Sequence, residues 1–548
     1  MMTDRRLHLK GLATLGIGNA VFQRSLCSQV AEHDRTTISP EMITQAEWIS
    51  GISLTESDRE VLTEPMNHLQ TQLQSIRAVT IEHDVAPAVQ FTPLQHRQLR
   101  TEFRRRVELP SAKVKRPTSD DDLAFLTVSE LGVLLRNKQV TTLELTQLYL
   151  ARLRKYGPTL KCVVTLTEER ALQQARRADT ELAAGKVRGP LHGIPWGAKD
   201  LIAYPGYPTT WGAPQFKERE LPDKATVAQR LDDAGAVLVA KLSLGALAMG
   251  DQWYGGMTRN PWDTEQGSSG SSAGSASATV AGLVGFALGS ETLGSIVSPC
   301  RRCGATGLRP TFGRVSRHGC MPLSWSMDKI GPITRSVEDA ALVFGAIHGA
   351  DGRDLTAIDM SFLWPETLPL ADIRVGFFED DETSVAAVKV LRALGATLKP
   401  VQLPKAYPIW ESMIILTAEA ATSFHDFTHQ GITKGLNTWP NEFRKGHHIS
   451  AVDYLRANRI RTQLMRAMND VFQDVDLYVG GPNRELGITN LSGHPSVVLP
   501  NGFEDIEGKT HPTALTFTGG LYRESILLKV AHAYQKATHH HLKHPALQ

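Results

Sequence analysis

The chain has 548 residues, of which 41% are hydrophobic and 21% charged, as expected of a soluble globular protein with several domains or one large α/β domain. Its 59 Lys and Arg residues nearly balance 57 Asp and Glu residues, which excludes the strongly basic surface typical of nucleic-acid-binding proteins. Five cysteines argue against a disulfide framework, and no apolar run reaches the ~18 residues that a membrane span requires.

The N-terminal segment, residues 1–35, contains the pair Arg5 and Arg6 followed by a weakly apolar stretch. It resembles a twin-arginine export signal and predicts a periplasmic or exported protein. His8 stands where a bulky apolar residue is usual, and no clear A-x-A cleavage site follows. The alternative is a disordered basic tail on a cytoplasmic protein.

Residues 36–100 are expected to form a helical unit of their own. A helix is predicted to begin after Thr55, because acidic residues follow and apolar residues then recur every three or four positions. Pro87 and Pro93 predict extended chain beyond it. Residues 101–120 are charged and contain proline, so we interpret them as a linker.

The main domain is predicted to span residues 121–543. Capping boxes at Thr127 and Thr141, each with Glu three residues later, mark two helix starts. Segments 226–242 and 384–403 are each predicted to form a helix that ends at a glycine and is followed by a strand. Residues 373–378 are predicted to form another strand. This alternation predicts an α/β fold with a mixed or parallel sheet covered by helices on both faces.

The stretch GSSGSSAGSAS, residues 267–277, has the composition of a flexible linker. It is followed directly by segment 278–299, which is rich in small and apolar residues. This composition predicts a buried segment rather than the start of a new domain. Buried hydroxyl groups need hydrogen-bond partners. The flanks therefore favour a site inside a domain over a linker.

Two further segments contain candidate catalytic residues. The turn that ends at Ser295 is flanked by small residues and can present several main-chain N–H groups to an oxyanion. A serine there needs a base to remove its proton, and the candidates are the 19 histidines or a lysine. Lys199 lies in the Gly-rich, apolar segment 191–202, where burial could keep its amine neutral.

Together these segments resemble the amidase signature family. GIPWGAKD supplies Lys199, SGSSAGSAS supplies Ser271 and Ser272, and TLGSI supplies Ser295. The spacings of 72 and 24 residues along Lys199, Ser271 and Ser295 are close to those of the family. The resemblance covers residues 121–543 and implies the family fold, a central twisted mixed sheet between helices, here with an added N-terminal helical segment.

The resemblance also implies roles. Ser295 would be the nucleophile, Ser271 a bridging serine in a cis peptide, and Lys199 the base of a Ser-Ser-Lys triad that acts through an acyl-enzyme. Met249, Gly250 and Ser272 would contact the substrate. The oxyanion hole would consist of the main-chain N–H groups of Thr292, Leu293, Gly294 and Ser295. No cofactor or metal is implied.

Three positions depart from the family pattern. Leu293 replaces a glycine, Glu291 replaces an aspartate, and Val297 replaces an arginine. We expect Leu293 to narrow the oxyanion turn or the pocket. We interpret the other two changes as linked, because they would remove both ends of one ion pair. No catalytic atom is lost.

Three functions remain open. The first is a free-standing hydrolase of linear amides that acts on a small-molecule substrate. It would have no direct nucleic-acid partner, and the oligomer considered is a homodimer. The second is the glutamine-hydrolysing component of a tRNA-dependent amidotransferase, its A subunit. Residues 40–95 also resemble, more weakly, the small C subunit that wraps around that component, and a generic helical lid is the alternative. The third function is that of a non-catalytic binding protein.

Two observations weigh against the amidotransferase. Residues 447–464 look like those of stand-alone amidases, and we find no arginine-bearing glutamine-binding segment. An exported protein would also never meet cytoplasmic tRNA. The histidine-rich segment 538–544 and the Cys300–Cys303 pair are interpreted as a surface helix end and two packed thiols rather than metal sites.

Overall fold

The computed structural model describes residues 37–81, 85, 87–89, 103–111, 113–482 and 484–547. The predicted export signal therefore lies outside the described residues. Within the described part of the chain, no helix is both long enough and apolar enough to cross a membrane.

Seventeen α-helices occur in the described residues. Both predicted capping boxes are confirmed, since Thr127 and Thr141 each accept the N–H of the glutamate that reaches back to them. The helices are α1 Pro40–Ser50, α2 Glu56–Ala78, α3 Asp120–Phe125, α4 Val128–Arg136, α5 Thr142–Leu160, α6 Glu168–Ala183, α7 Thr226–Asp233, α8 Ala273–Val280, α9 Val297–Cys303, α10 Val337–Ile347, α11 Glu382–Ala393, α12 Ile414–Ser423, α13 His425–His429, α14 Trp439–Gly446, α15 Ala451–Asp474, α16 Leu486–Ser492 and α17 Glu524–Thr538.

Eleven of the described strands form one mixed sheet, in the order β14-β13-β15-β17-β16-β10-β11-β9-β3-β4-β2. Its parallel pairs are β13 with β14 and β15, and β3 with β4 and β9; its other pairs are antiparallel. All the strands are β1 Arg105–Val107, β2 Val163–Leu166, β3 Pro195–Lys199, β4 Val237–Leu242, β5 Gln252–Trp253, β6 Gly256–Met257, β7 Arg259–Asn260, β8 Asp263–Gly267, β9 Phe286–Glu291, β10 Thr306–Arg309, β11 Lys329–Thr334, β12 Phe362–Trp364, β13 Arg374–Phe377, β14 Thr397–Pro400, β15 Leu477–Gly480, β16 Ser496–Ile506 and β17 Lys509–Gly519.

The centre of this sheet is buried on both faces. Successive residues of a strand point to opposite sides, so Leu238 of β4 enters one hydrophobic cluster while Val237 and Val239 enter another. Helix α10 packs in the first cluster, and Leu150 and Leu153 of α5 pack in the second. The predicted α/β class is confirmed, and the central strands lie between helices on both faces.

Of the two N-terminal helices, α2 packs on α15 and α14, and α1 packs on α2. Thr55 caps α2, as the sequence predicts. The buried apolar face of α2 shares a cluster with Ile460 and Leu464 of α15. Arg77 of α2 donates two hydrogen bonds to Asp453 of α15, at 2.9 and 2.8 Å. Helices α1 and α2 together, residues 40–78, are called the belt below.

The segment interpreted as a linker is not entirely without structure. Residues 105–107 form β1, which pairs in parallel with β12 in a small separate sheet. The sequence shows no sign of this strand, because RRV is short and mostly charged. The pairing ties the chain between the belt and the main domain to the region around Trp364.

Candidate active site

The predicted site residues converge at one edge of the central strands. Lys199 is the last residue of β3, and Ser290 is the next-to-last residue of β9, the parallel neighbour of β3. Parallel strands end at the same edge of a sheet, so both side chains reach the same region. Ser271 lies just before α8, and Ser295 lies in the turn between β9 and α9.

Lys199 has no exposed surface. Its Nζ lies 2.8 Å from Ser271 Oγ, 3.0 Å from Ser272 Oγ and 2.9 Å from Ser290 Oγ, and 3.3 Å from the Ser290 carbonyl oxygen. Burial lowers the pKa of Lys199 to about 7, against the opposing charges of two more distant carboxylates. A neutral amine has one lone pair, which can accept a proton from one of these hydroxyls.

Ser271 follows a cis peptide bond with Gly270, the geometry that the family resemblance implies for the bridging serine. Position 270 requires glycine, because a Cβ atom there would lie 1.9 Å from the carbonyl oxygen of Gly250. This close approach brings the 249–250 segment against the loop that presents Ser271. The stretch that begins at Gly267 thus ends a strand and enters α8, so it is not a linker.

Ser295 is held beside the two paired serines. Its carbonyl oxygen accepts the main-chain N–H of Ser272 at 3.1 Å. Its side chain is half-buried, and its hydroxyl forms no hydrogen bond with any other described residue. Ser295 therefore combines a fixed main chain with an accessible hydroxyl, as a nucleophile requires.

The turn at residues 292–295 contains main-chain N–H groups that are free to donate hydrogen bonds. Within the described part of the chain, none of its four main-chain N–H groups donates a hydrogen bond. Gly294 adopts φ +90°, and a Cβ atom there would lie 3.0 Å from side-chain atoms of Leu486 and Ser298, so glycine is needed. Free donors clustered in a rigid turn fit the stabilisation of an oxyanion.

A buried carboxylate holds this turn in place. Glu291 accepts the N–H groups of Ile296 and Val297 at 2.8 and 2.9 Å, and also pairs with Arg309 at 2.8 Å. Asn490 donates a fourth hydrogen bond to it at 2.8 Å. The Arg309 guanidinium and these donors overcome the effect of burial and hold the pKa of Glu291 at about 2.

This network corrects the interpretation of the two linked departures. Glu291 has not lost its ion pair; its partner is Arg309 on β10, which is distant in sequence. Val297 contributes only its main-chain N–H to the carboxylate. The extra methylene of glutamate therefore accompanies a carboxylate whose two oxygens are both paired.

The residues predicted to contact substrate differ in burial and in their hydrogen-bond partners. Ser272 is fully buried, and its hydroxyl also hydrogen-bonds Ser290, accepting its N–H and donating to its carbonyl, both at 3.1 Å. Its contact with substrate stays a prediction, and its placement favours a positioning role. Met249 is half-buried, and its carbonyl accepts from the Asn437 amide at 3.0 Å. Leu293 packs against the apolar cluster that contains the belt.

Two further residues belong to the site although the sequence motifs do not point to them. Ser290 contributes both its hydroxyl and its carbonyl to Lys199. Asp328 accepts a hydrogen bond from the Thr292 hydroxyl and the N–H groups of Leu323 and Ser324, and burial raises its pKa. The position of Ser290 just before the turn is a usable signal. Nothing in the sequence around Asp328 indicates its contact with the Thr292 hydroxyl, because Thr292 lies 36 residues earlier, just after β9.

The arrangement can carry out acyl transfer. It contains a candidate nucleophile with a free hydroxyl, a bridging hydroxyl bonded to a buried amine, and a turn of unpaired N–H donors, all among the described residues. These are the parts needed to attack a carbonyl and to stabilise the tetrahedral species that results.

Comparisons with known proteins agree with this geometry. Residues 144–481 match the family model described as Amidase. The chain is 35% identical over 487 residues to the A subunit of glutamyl-tRNA(Gln) amidotransferase from Chloroflexus aggregans, and the match covers 78% of this chain and 99% of the relative. It is 32% identical to the protein of the same name from Geobacillus thermodenitrificans, over 77% of this chain and 99% of that protein.

Solved structures show the same fold. The peptide amidase from Stenotrophomonas maltophilia superposes with a TM-score of 0.67 at 29% identity, covering 77% of this chain and 98% of that one. An amidase family protein from Bacillus anthracis superposes with a TM-score of 0.70 at 25% identity, covering 78% and 94%.

Proposed function

Since this chain belongs to the amidase signature family, whose members act on carbon–nitrogen amide bonds, we propose that it is a free-standing hydrolase of linear carboxylic amides. One observation carries the proposal. Lys199 is completely buried at the site, and its nearest polar atoms are three serine hydroxyls and a carbonyl rather than a carboxylate. A buried amine in such a place is best explained by a need for a neutral base.

In the proposed first step, Ser295 Oγ attacks the amide carbonyl carbon. Its proton passes to Ser271 Oγ as the proton of Ser271 passes to Lys199 Nζ. The carbonyl oxygen becomes an oxyanion, which the N–H groups of residues 292–295 stabilise. The carbon–nitrogen bond then breaks, and the leaving nitrogen takes back the proton through Ser271, which leaves an ester on Ser295.

In the second step, water hydrolyses the ester by the reverse proton route. The oxygen of water bonds to the acyl carbon, and its proton moves through Ser271 to Lys199. The tetrahedral species collapses, Ser295 recovers its proton, and a carboxylic acid leaves. The overall reaction consumes one water and releases ammonia or an amine.

A fluorophosphonate probe tests the assignment of the nucleophile. It should form one covalent adduct per chain, which peptide mass spectrometry should locate on Ser295. Ser295→Ala should abolish labelling and lower turnover by several orders of magnitude, on the order of 10⁴-fold or more. An adduct on Ser271 or Ser290 in the unaltered protein would reassign the nucleophile, and no adduct would favour a non-catalytic binding protein.

The amidotransferase is the second candidate, because the two relatives from Chloroflexus and Geobacillus carry that name and cover most of this chain. Incubating the purified protein with the B subunit of such an enzyme, glutamine and mischarged tRNA separates the two candidates. Transamidation that requires the B subunit would support the amidotransferase. Hydrolysis of simple amides by the chain alone, without transamidation, supports the free-standing hydrolase.

We also propose export through residues 1–35, on the basis of the Arg5–Arg6 pair. Replacing both residues with lysine should keep a reporter fusion in the cytoplasm, because the twin-arginine signal requires the pair. An unchanged distribution of the reporter would contradict export and would remove one objection to a tRNA substrate.

Measuring kcat/KM on a panel of amide substrates would identify the class of amide that the protein hydrolyses. Aryl, aliphatic and amino-acid amides differ in the shape of the acyl group, and Met249, Gly250 and Ser272 are the residues predicted to contact the substrate. Leu293 stands where the family has glycine, and we propose that it reduces the space beside the oxyanion turn. We therefore expect kcat/KM to fall as the acyl group becomes bulkier next to the carbonyl.

A further inference from the structure

Three histidines meet outside the active site. His425 and His429 lie four residues apart, at the two ends of the short helix α13, and His447 directly follows α14. One nitrogen from each ring can be chosen so that all three lie within 4.8 Å of one another. The ring centroids are 4.0, 5.5 and 5.4 Å apart.

These distances fit the approach of three ligands to one ion. A zinc ion bonds histidine nitrogens at about 2.0–2.1 Å in tetrahedral geometry, which separates ligand nitrogens by about 3.3 Å. The three nitrogens lie within 4.8 Å of one another, so the rings would rotate to bring them to this separation. Two histidines at positions i and i+4 of a helix also present their rings on one side, as in known zinc sites.

The third histidine has an unused nitrogen. His447 Nε2 is buried and has no hydrogen-bond partner among the described residues. The main chain of Ser50, at the end of α1, lies beside the same ring. A metal-bound histidine characteristically gives its second N–H to a main-chain carbonyl, which fixes the tautomer that leaves the other nitrogen free for the metal.

We propose that His425, His429 and His447 form a binding site for one divalent transition-metal ion, with Zn²⁺ as the ion that fits best. Neutral imidazoles are suitable ligands for zinc, and water can complete a four-coordinate shell on the exposed side. No redox step is involved.

The position of the cluster suggests what the ion does. It would join α13 to the end of α14, beside the last residue of α1. Helix α14 also contacts the predicted substrate region, since Trp439 donates to the Ala246 carbonyl at 3.2 Å. The ion would therefore stabilise one wall of that region without taking part in the reaction.

The test uses the full chain without an affinity tag, treated with EDTA and dialysed. Isothermal titration with Zn²⁺ should show one ion bound per chain, and Co²⁺ should produce the visible absorption of a tetrahedral site. His425→Ala and His429→Ala should each abolish this binding. Both side chains are exposed, so neither change should disturb the fold.

The matched control alters histidines that are clustered in sequence but lie outside this site. The double variant His539→Asn/His540→Asn should bind Zn²⁺ as the unaltered chain does. Binding that survives His429→Ala but is lost in this double variant would overturn the proposal, as would the absence of stoichiometric binding. The readouts are Zn²⁺ binding and Co²⁺ absorption, so their failure leaves the proposed amidase activity untouched.

Discussion

Two fully buried lysines lie on neighbouring strands and have different partners. Lys199 ends β3, and Lys241 lies on β4, opposite Ala198 in the parallel register. Neither has any exposed surface. Lys241 Nζ lies 2.6 Å from a carboxylate oxygen of Asp200, whereas the hydrogen bonds of Lys199 go to serine hydroxyls and a carbonyl.

The difference shows how one fold pairs one lysine with a carboxylate and prepares another as a base. Asp200 is adjacent to Lys199 in the chain, yet it pairs with Lys241 and with the N–H and hydroxyl of Thr210. An ion pair favours the charged form of a lysine, and burial without one favours the neutral form. The direction in which Asp200 points thus separates a structural lysine from a candidate catalytic one.

The largest effect should come from Lys199→Arg. Arginine keeps a positive charge but cannot give up its proton, so it cannot act as a base. We expect kcat/KM to fall by about 10³-fold or more, nearly as far as in Lys199→Ala. Steady-state kinetics on a neutral amide substrate, with circular dichroism to verify folding, make the measurement. An arginine variant that retains most of its activity would show that charge alone matters.

Ser271→Ala should have the next largest effect. Its hydroxyl is the proposed proton bridge, and losing general acid–base transfer costs about 10²- to 10⁴-fold in kcat. Ser272→Ala is the matched control, since its hydroxyl hydrogen-bonds Lys199 at a similar distance but is not assigned a proton-transfer role. It should reduce kcat clearly less. Equal losses in the two variants would argue against Ser271 as the bridge.

Substitution of the two lysines should change the free energy of unfolding in opposite directions. Lys241→Met leaves Asp200 buried without its partner, which should lower the free energy of unfolding by about 3–5 kcal/mol. Lys199→Met removes an amine that burial disfavours in its charged form. Even after the loss of its hydrogen bonds, we expect a gain of about 1–2 kcal/mol at pH 7. Urea unfolding at pH 7 measures both.

The gain in Lys199→Met should depend on pH. The folded-state pKa of about 7 lies below that of an unfolded lysine, so the unfolded chain binds more protons between these two values. The penalty on the unaltered protein is therefore full below pH 7 and disappears as the pH approaches the unfolded pKa. A stability difference that is constant over this window, or a loss in both lysine variants, would contradict the comparison.

Much of the fold and the site could be predicted from the sequence. Capping boxes and glycine stops have local signatures, and the predicted helix-glycine-strand units turn at Gly235 and Gly395, both of which have positive φ. The resemblance of the motifs around Lys199, Ser271 and Ser295 to the amidase signature family implied their convergence. Local chemistry suffices for helix ends and turns, whereas the site was predicted through the resemblance.

Other features could not be predicted because they depend on contacts between distant segments. Nothing near Glu291 indicates that Arg309 neutralises it, and nothing near Lys199 indicates that Asp200 points away to Lys241. The three-histidine cluster has no sequence signature for the same reason, since His447 lies 18 residues beyond His429. The histidines near the C-terminus form the more conspicuous sequence pattern, although they are simply adjacent in the chain.

The central claim is that Lys199 acts as a neutral base, and the pH dependence of kcat/KM tests it most directly. For an amide substrate without titrating groups, kcat/KM reports ionisations of the free enzyme. We expect a rise with pH through an apparent pKa of about 7, the value that burial gives Lys199. A rise only near pH 10, or an activity that depends on the protonated lysine and falls as the pH increases, would contradict it.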